Sequence, residues 1–445
     1  MREMLHEIDT KEYPAKDALL RLEEQYIPPL ADRPILNPES IMEARIENIA
    51  FATGSIGTFV PNEAVIQAVI ESNTVMNEEP IRIRGLKFQG GFRQRHEVDT
   101  RSRDYQERYT APTIAAMAKK VADTRQWDGI DLLVIGSSSI IEDMPEMITD
   151  QLREILPIDQ VMHNHMACSS AGEGIIDGAL LGGNTKLRVV VVGTDELSSL
   201  TDFDPVTFAN FSDGIAAIAF ESREIEVLSG RTVIERDTDN ILTVNPFAPL
   251  PNRHISDESR RFSRFSLKGE ATADYFRYSD RGTYLAIPSN GRDEMEMRAK
   301  KTWEKFVMGG APQLAAEIIT PYEHLITAFN GHQPGFEVVS GFNTMLTRKR
   351  LQMRGLSPIE AKVVVVSLAD KSEDEQRNIL GKYNLPYLTL PWDIGKTKFS
   401  NVSAAVSLIQ LCYAAAGGRM KPGDIIAEQF MGVGSTYGTY VLQLH

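Results

Sequence analysis

The sequence predicts an α/β protein made of two halves that repeat one grammar, and two observations carry that reading. Near-continuous Val/Ile runs such as LRVVVVG alternate with amphipathic helical stretches, the pattern of strands covered by helices on both faces. The same succession returns more loosely toward the C-terminus, in YEHLITAFNGHQPG, KVVVVSLADKS and DIIAEQFMGVGSTYGTYVLQL. With 445 residues, 42% of them hydrophobic, the chain can bury one large core or two ordinary ones.

Taken in order, residues 1–45 form a charged preface whose prolines in QYIPPLADRPILNPES break any long helix, so it reads as an extension lying on the body or on a partner. The ordered core is expected from Ile46. In the first half, residues 46–229, IENIAFATGSIG, DLLVIGSSS, LRVVVVGTDELSS and FSDGIAAIAFES read as strands, with TAPTIAAMAKKVADTRQW as a helix between the first two. Residues 230–305 are polar and rich in Arg, Asp and Ser, which suits an insertion or cap. Residues 306–445 form the second half, with KVVVVSLA read as one of its strands. No short-period repeat suggests a solenoid.

Composition narrows the function. Two cysteines in so long a chain provide no disulfide framework, which suits a reducing cytoplasm and leaves thiols for chemistry. The charged opening MREMLHEIDTKEYPAKDALLRLEEQ has no signal-peptide core, and the apolar runs are of strand length, so no membrane span is expected. A formal net charge of −14 repels a polyphosphate backbone and disfavours nucleic acid as a partner. Two basic stretches, Ile81 to His96 and Thr347 to Arg354, are either solvated surface or a meeting place for an acidic carrier or a nucleotide phosphate.

Cys168, in HNHMACSSAGEGIIDGALLGG, sits where a strand is expected to turn into a helix. The first amides of that helix would favour the thiolate, the reactive form of cysteine, although an inert buried thiol at a tight corner has the same local sequence. Cys412, in LIQLCYAAAGG, reads as a small core residue. Three places in the second half pair with Cys168. His332, on a loop after a strand in FNGHQPGFE, is either a proton-handling or hydrogen-bonding group near neutral pH or a turn cap. Asn401, in KFSNVSAAVSLIQLC, either points its amide into a cleft or, like Ser400, caps a helix. Gly432 and Gly434, before the closing strand, either let backbone amides approach a ligand or form an ordinary hairpin. His163, His165 and Cys168 are metal-ligand types placed close together, but a corner separates the cysteine from the histidines and no fourth ligand follows, so no metal is expected.

In their order along the chain, CSSAG, FSDGIAAIAFE, HQ, NVSAA and GVGSTYG resemble the 3-oxoacyl-acyl carrier protein synthase III branch of the thiolase superfamily, over nearly everything from Ile46 to His445. GSIGTFVPNEAV matches the opening strand and turn of that branch, and GFRQRH its Arg-rich segment. The resemblance implies a thiolase-like fold, with two pseudo-repeated α/β halves layered αβαβα. It implies a catalytic set of Cys168, His332 and Asn401, with backbone amides of Cys168 and Gly434 as an oxyanion site and Arg93 and Arg95 as substrate contacts. The implied reaction loads an acyl group on Cys168 and joins it to a malonyl-type thioester by decarboxylative condensation, in specialised fatty-acid or polyketide-type biosynthesis. No resident cofactor is implied, only coenzyme A or phosphopantetheine thioesters as substrates, delivered free or on an acyl or malonyl carrier protein, to a cytoplasmic homodimer.

Departures from that pattern keep alternatives open. Gly331 stands where the branch carries proline, Glu337 where it carries a basic carrier contact, and the stretch from His332 to Asn401 is longer than usual. Relatives with this triad also join two acyl thioesters, where Glu142 is a candidate base, or transfer the acyl group to an amine or hydroxyl. A catalytically silent thiolase-fold partner subunit is the contrasting class.

Overall fold

The computed structural model describes residues 14–30, 36, 40–75, 91–94, 100, 102–137, 145–164, 167–182, 185–198, 211–234, 278–279, 282–283, 310–332, 336–391, 399, 401–432 and 436–445. The chain opens with helix α1 (Pro14–Tyr26), strands β1 (Met42–Ile46), β2 (Ile49–Ser55) and β3 (Thr58–Val60), and helix α2 (Asn62–Val75). The rest of the first half comprises β4 (Gly91–Arg93), α3 (Ala111–Thr124), β5 (Ile130–Gly136), α4 (Pro145–Ile155), β6 (Ile158–Asn164), α5 (Ser170–Leu181), β7 (Arg188–Glu196) and β8 (Asp213–Glu221). Next come β9 (Ile225–Ile234) and a small hairpin, β10 (Tyr278–Ser279) with β11 (Gly282–Thr283). The second half holds α6 (Gly310–Ile319), β12 (Ile326–Gly331), α7 (Phe336–Met353), α8 (Pro358–Leu368), α9 (Glu373–Gly381), α10 (Val406–Ala416), β13 (Ile425–Gly432) and β14 (Thr436–Leu444).

Two sheets result. A six-stranded sheet runs β1-β2-β8-β7-β5-β6, with β7, β5 and β6 parallel to their neighbours in that group, and a four-stranded sheet runs β12-β13-β14-β9. Strand alternation sorts the side chains into layers. Leu133, Ile135, Val190, Val192 and Ala217 pack outward on α3 and α4, while Leu132, Val134, Val189, Val191 and Ile218 pack inward on α5 and α10. The inner helices meet Ile426, Phe430 and Leu442 of the second sheet, whose outer side, with Phe329, Ala427 and Val441, is covered by α6 and α7. Helix, sheet, helix, sheet, helix is therefore the order of layers, as the resemblance implied.

The structure departs from the sequence reading at two places. The run KVVVVSLA is helix α8 and not a strand. Its start carries the reason: Ser357 accepts from the Glu360 backbone, the Glu360 carboxylate accepts from the Ser357 N–H at 2.8 Å, and Pro358 occupies the first turn. This capping box outweighs the β preference of the valines, of which Val363 and Val366 remain exposed. The second departure is the preface, where α1 buries Ala18 and Leu22, and β1 joins the first sheet from Met42, ahead of the expected boundary.

The centre of the molecule depends on two glycines side by side. Gly136 ends β5, Gly193 lies opposite it on β7, and both face the inner layer. A Cβ on Gly136 would stand 2.6 Å from the Ala171 nitrogen, and one on Gly193 would stand 2.8 Å from the Ala171 Cβ and 3.0 Å from the Ala405 Cα. Their missing side chains admit the starts of α5 and α10 to the same spot. Gly193→Ala is expected to cost ~1–3 kcal/mol by overpacking, whereas Gly381→Ala, at the end of α9 with nothing within 4 Å, is expected to be neutral or to gain up to about 1 kcal/mol. Urea denaturation of the two variants checks the contrast.

Candidate active site

Cys168 lies in a single 3₁₀ turn, Ala167–Ser169, that leads directly into α5. Small residues are required there because the turn and the helix start lie against the Gly136 and Gly193 backbones and because Gly172 faces the Phe430 ring at 2.9 Å from where a Cβ would sit. The thiol is 7% exposed, at the entrance to a helix whose first amides direct partial positive charge toward it. Cys412 is different in kind. It is buried in the middle of α10, and desolvation pushes its thiol up to about 12, as expected of an inert core cysteine.

His332 follows the last residue of β12 and is 1% exposed. Its backbone N–H donates to the Gln429 carbonyl at 2.8 Å, extending the parallel pairing of β12 with β13 by one bond. Gly331 makes this possible, since a Cβ there would fall 2.0 Å from the Gln429 oxygen. Burial lowers the imidazole to about 3, opposed in part by a hydrogen bond with the Ser403 backbone, so the ring is neutral at physiological pH. Its Nδ1 has no hydrogen-bond partner among the described residues.

Asn401 makes a parallel bridge with Phe211, and its carbonyl accepts from the Ser212 N–H at 3.1 Å. Its side-chain Oδ1 accepts from the Ser403 N–H at 2.9 Å, which orients the carboxamide and makes its amide nitrogen the donor end. After it, a second 3₁₀ turn, Ser403–Ala405, enters α10 just as the Cys168 turn enters α5. Asp195, near the end of β7, ties this second turn to the end of β5. It accepts from the Ala404 N–H at 2.8 Å and from the Ser137 hydroxyl at 3.0 Å.

Ser403 joins the three residues. Its hydroxyl donates to the Cys168 sulfur at 3.2 Å, its N–H is held by Asn401, and its backbone hydrogen-bonds His332. It also has φ +49°, a left-handed conformation that costs a residue other than glycine roughly 1–2 kcal/mol. Among the described residues the other non-glycine positions with positive φ, Glu47, Gln126, Asp370 and Asn384, are exposed in turns, and Ser403 alone is buried. Sequence reasoning passed over it, although it stands inside the NVSAA motif. A serine between a candidate amide and a helix looks like an ordinary cap, and nothing local reveals that its partner is 235 residues away.

The remaining sequence candidates fall elsewhere or beyond description. Arg93 is 1% exposed, on β4, and its guanidinium is lowered by burial to about 10 against the opposing charges of Asp213 and Glu23, so it sits inside the fold and not on an open surface. Thr347 and Arg350 of the second basic stretch are buried as well, the arginine bound to Glu323 at 2.8 Å. His163 lies on β6 with Nε2 3.2 Å from the Thr149 hydroxyl. Arg95, Glu142, His165 and Gly434 lie outside the described residues. No group of His, Cys, Asp and Glu suited to a metal, and no helix long and apolar enough to cross a membrane, occurs among the described residues.

Three buried acids lie on elements that lead to the site. Glu428, directly opposite Asn330 on β13 and fully buried, accepts from the Asn330 amide at 2.5 Å, and desolvation raises it to about 8. Glu196, next to Asp195, accepts from Tyr105, Gln94 and Thr110 and is raised by burial to about 7. Glu173 on α5 is likewise raised to about 7 by burial. Burial thus disfavours the charged form of these three acids as it does that of His332.

No protein-family model matches the sequence, and no curated protein does. Solved structures do match. The 3-oxoacyl-[acyl-carrier-protein] synthase III of Aquifex aeolicus VF5 superposes with a TM-score of 0.51 at 16% identity, covering 86% of this chain and 95% of that one. The synthase III of Pseudomonas aeruginosa PAO1 gives 0.54 at 13% identity over 88% and 96% of the two chains. The 1,3,6,8-tetrahydroxynaphthalene synthase of Streptomyces coelicolor A3(2), a bacterial type III polyketide synthase, gives 0.54 at 12% identity over 91% and 98%. The chain thus has the thiolase-like fold of these condensing enzymes.

Glu428 supplies a test of the buried-acid arrangement. Its carboxyl is protonated in the fold to about pH 8 and ionises near 4.5 when exposed. Folding therefore takes up a proton between those values, and the associated stability is complete below the lower value and lost as pH rises to the upper one. Glu428→Gln should show a smaller decline in melting temperature than the parent between pH 5 and pH 8, measured by calorimetry.

Proposed function

We propose that the protein is an acyl-thioester condensing enzyme, a transferase that carries an acyl group on Cys168 and extends it with a malonyl-type thioester. The observation that carries this reading is the meeting of a thiol at a helix entrance, a neutral buried imidazole and an oriented carboxamide around Ser403, in a fold shared with synthase III and type III polyketide synthases.

In the first half-reaction the Cys168 thiolate attacks the acyl carbonyl carbon. A sulfur-carbon bond forms, the oxyanion is held by backbone amides, and the thiolate of coenzyme A or phosphopantetheine leaves. The new thioester resembles the old one, so the step is close to balanced. In the second, the malonyl-type thioester loses carbon dioxide and its electron pair moves onto the thioester oxygen. His332 and Asn401 are neutral groups suited to hydrogen-bond that enolate. Neutrality matters, because an imidazolium would trap the enolate by protonating it, and a ring held to about 3 stays uncharged through the physiological range. The enolate carbon then attacks the acyl carbonyl, the carbon-carbon bond forms, and Cys168 departs as thiolate.

Specialised fatty-acid or polyketide-type biosynthesis is the setting we favour over the first step of a housekeeping pathway, because α8 and α9 add a helical pair with its own core, including Ala361, Val364 and Leu380, between His332 and Asn401. The proposed substrates are thioesters of coenzyme A or of a carrier protein, with no resident cofactor. We also propose a homodimer in which β6, the edge strand of the first sheet, pairs with its counterpart.

The assignment is tested by incubating the protein with short, long and aromatic acyl thioesters and weighing it intact. At least one donor should replace the thiol hydrogen of Cys168 by its acyl group, and Cys168→Ala should abolish the adduct. An unchanged mass with every donor, or an adduct that persists in Cys168→Ala, would overturn the reading.

A further inference from the structure

We infer that Ser403 is a functional member of the site, a hydroxyl donor that stabilises the Cys168 thiolate and fixes the direction of its sulfur. The inference deepens the proposed reaction and rests on Cys168 being its nucleophile.

Three observations support it. The Ser403 hydroxyl lies 3.2 Å from the Cys168 sulfur with both residues buried. A hydroxyl that donates to a thiolate favours the ionised form, and the preference is stronger where water is scarce. The second observation is the backbone. At φ +49° a glycine would sit without strain, yet this chain places there a side chain whose one polar atom reaches the nucleophile. The third is the company Ser403 keeps, since the same residue bonds Asn401 and His332 through its backbone. The backbone from which its hydroxyl projects is consequently held by both candidate partners of the thiol.

The elements packed on the Cys168 turn explain why such a donor would matter. Among the described residues the titratable groups they present are His332 at the end of β12, Glu428 on β13, and Glu173 and Asp177 on α5, with the buried Asp195 carboxylate behind the Ser403–Ala405 turn. Burial disfavours the charged form of His332, Glu428, Glu173 and Asp177, and none of these groups is a cation at neutral pH. Dipoles, the helix amides and the serine hydroxyl, are thus the support we assign to the thiolate, since His332 is held neutral. On ionisation the Cys168 proton goes to solvent and Ser403 keeps its own.

The test is the pH dependence of Cys168 alkylation by iodoacetamide, followed by peptide mass mapping so that Cys412 is scored separately. Ser403→Ala removes the hydroxyl and keeps the Cβ, and Ser403→Gly removes the hydroxyl while relieving the backbone. Both should move the alkylation midpoint upward by about one pH unit, making alkylation at pH 7 about tenfold slower than in the parent. A structural role alone would leave the midpoint in place in the folded Ser403→Gly protein. A midpoint unchanged or lowered in either variant, with the parent's circular dichroism retained, would overturn the inference. No acyl donor enters this measurement, so its outcome is independent of whether acyl transfer is found.

Discussion

The contact between two backbone elbows at a pair of neighbouring glycines is the constraint on which the rest of the site depends. Gly136 and Gly193 occupy adjacent positions on parallel strands, and the space left by their missing side chains is filled by the starts of α5 and α10. One elbow carries Cys168 and the other carries Asn401 and Ser403. Asp195, two residues beyond Gly193, accepts a backbone N–H from the second elbow and a hydroxyl from the end of β5, so the strands and the elbow are locked by side chain as well as by shape. His332 arrives from the other sheet, its position set by the close pairing of Gly331 with Gln429. Without close approach at the glycines, residues separated by most of the chain would have no common centre.

Burial then decides the chemistry. Desolvation penalises charge on buried groups. It leaves the imidazole unprotonated and raises Glu428, Glu196 and Glu173 toward or above neutrality. An interior of this kind is suited to a reaction whose charge appears briefly, on a sulfur or on an enolate oxygen, and is met by fixed dipoles instead of by counter-ions. The same arrangement costs stability, since unsatisfied atoms such as His332 Nδ1 and Glu428 Oε1 are enclosed without partners among the described residues. Enclosed polar atoms of this sort are common where a substrate supplies the missing bonds.

Much of the architecture was legible in the sequence because strands buried on both faces show as unbroken apolar runs. LLVIG, VVVVG and GIAAIAF were read so and are β5, β7 and β8. The same rule failed at KVVVVSLA, where apolar continuity alone does not distinguish strand from helix and the Ser-Pro-Ile-Glu cap before it carried the deciding information. Of the site, Cys168, His332 and Asn401 were visible as reactive or hydrogen-bonding types at element ends. Ser403 and Asp195 were not, for their significance lies in partners 235 and 209 residues away. The burial of Arg93 was equally invisible, because a basic run in sequence carries no sign of which arginine is turned into the fold.

The most direct measurement is a crystal structure of the protein trapped with an acyl group on Cys168 through a non-hydrolysable or slowly turned-over thioester. The expected result is an acyl carbonyl held by the backbone amide of Cys168, with the side chains of His332 and Asn401 bordering the same cavity, within hydrogen-bond reach of a thioester oxygen placed for attack. A structure in which the two side chains open onto a cavity separate from the sulfur would contradict the single shared centre and, with it, the condensing chemistry.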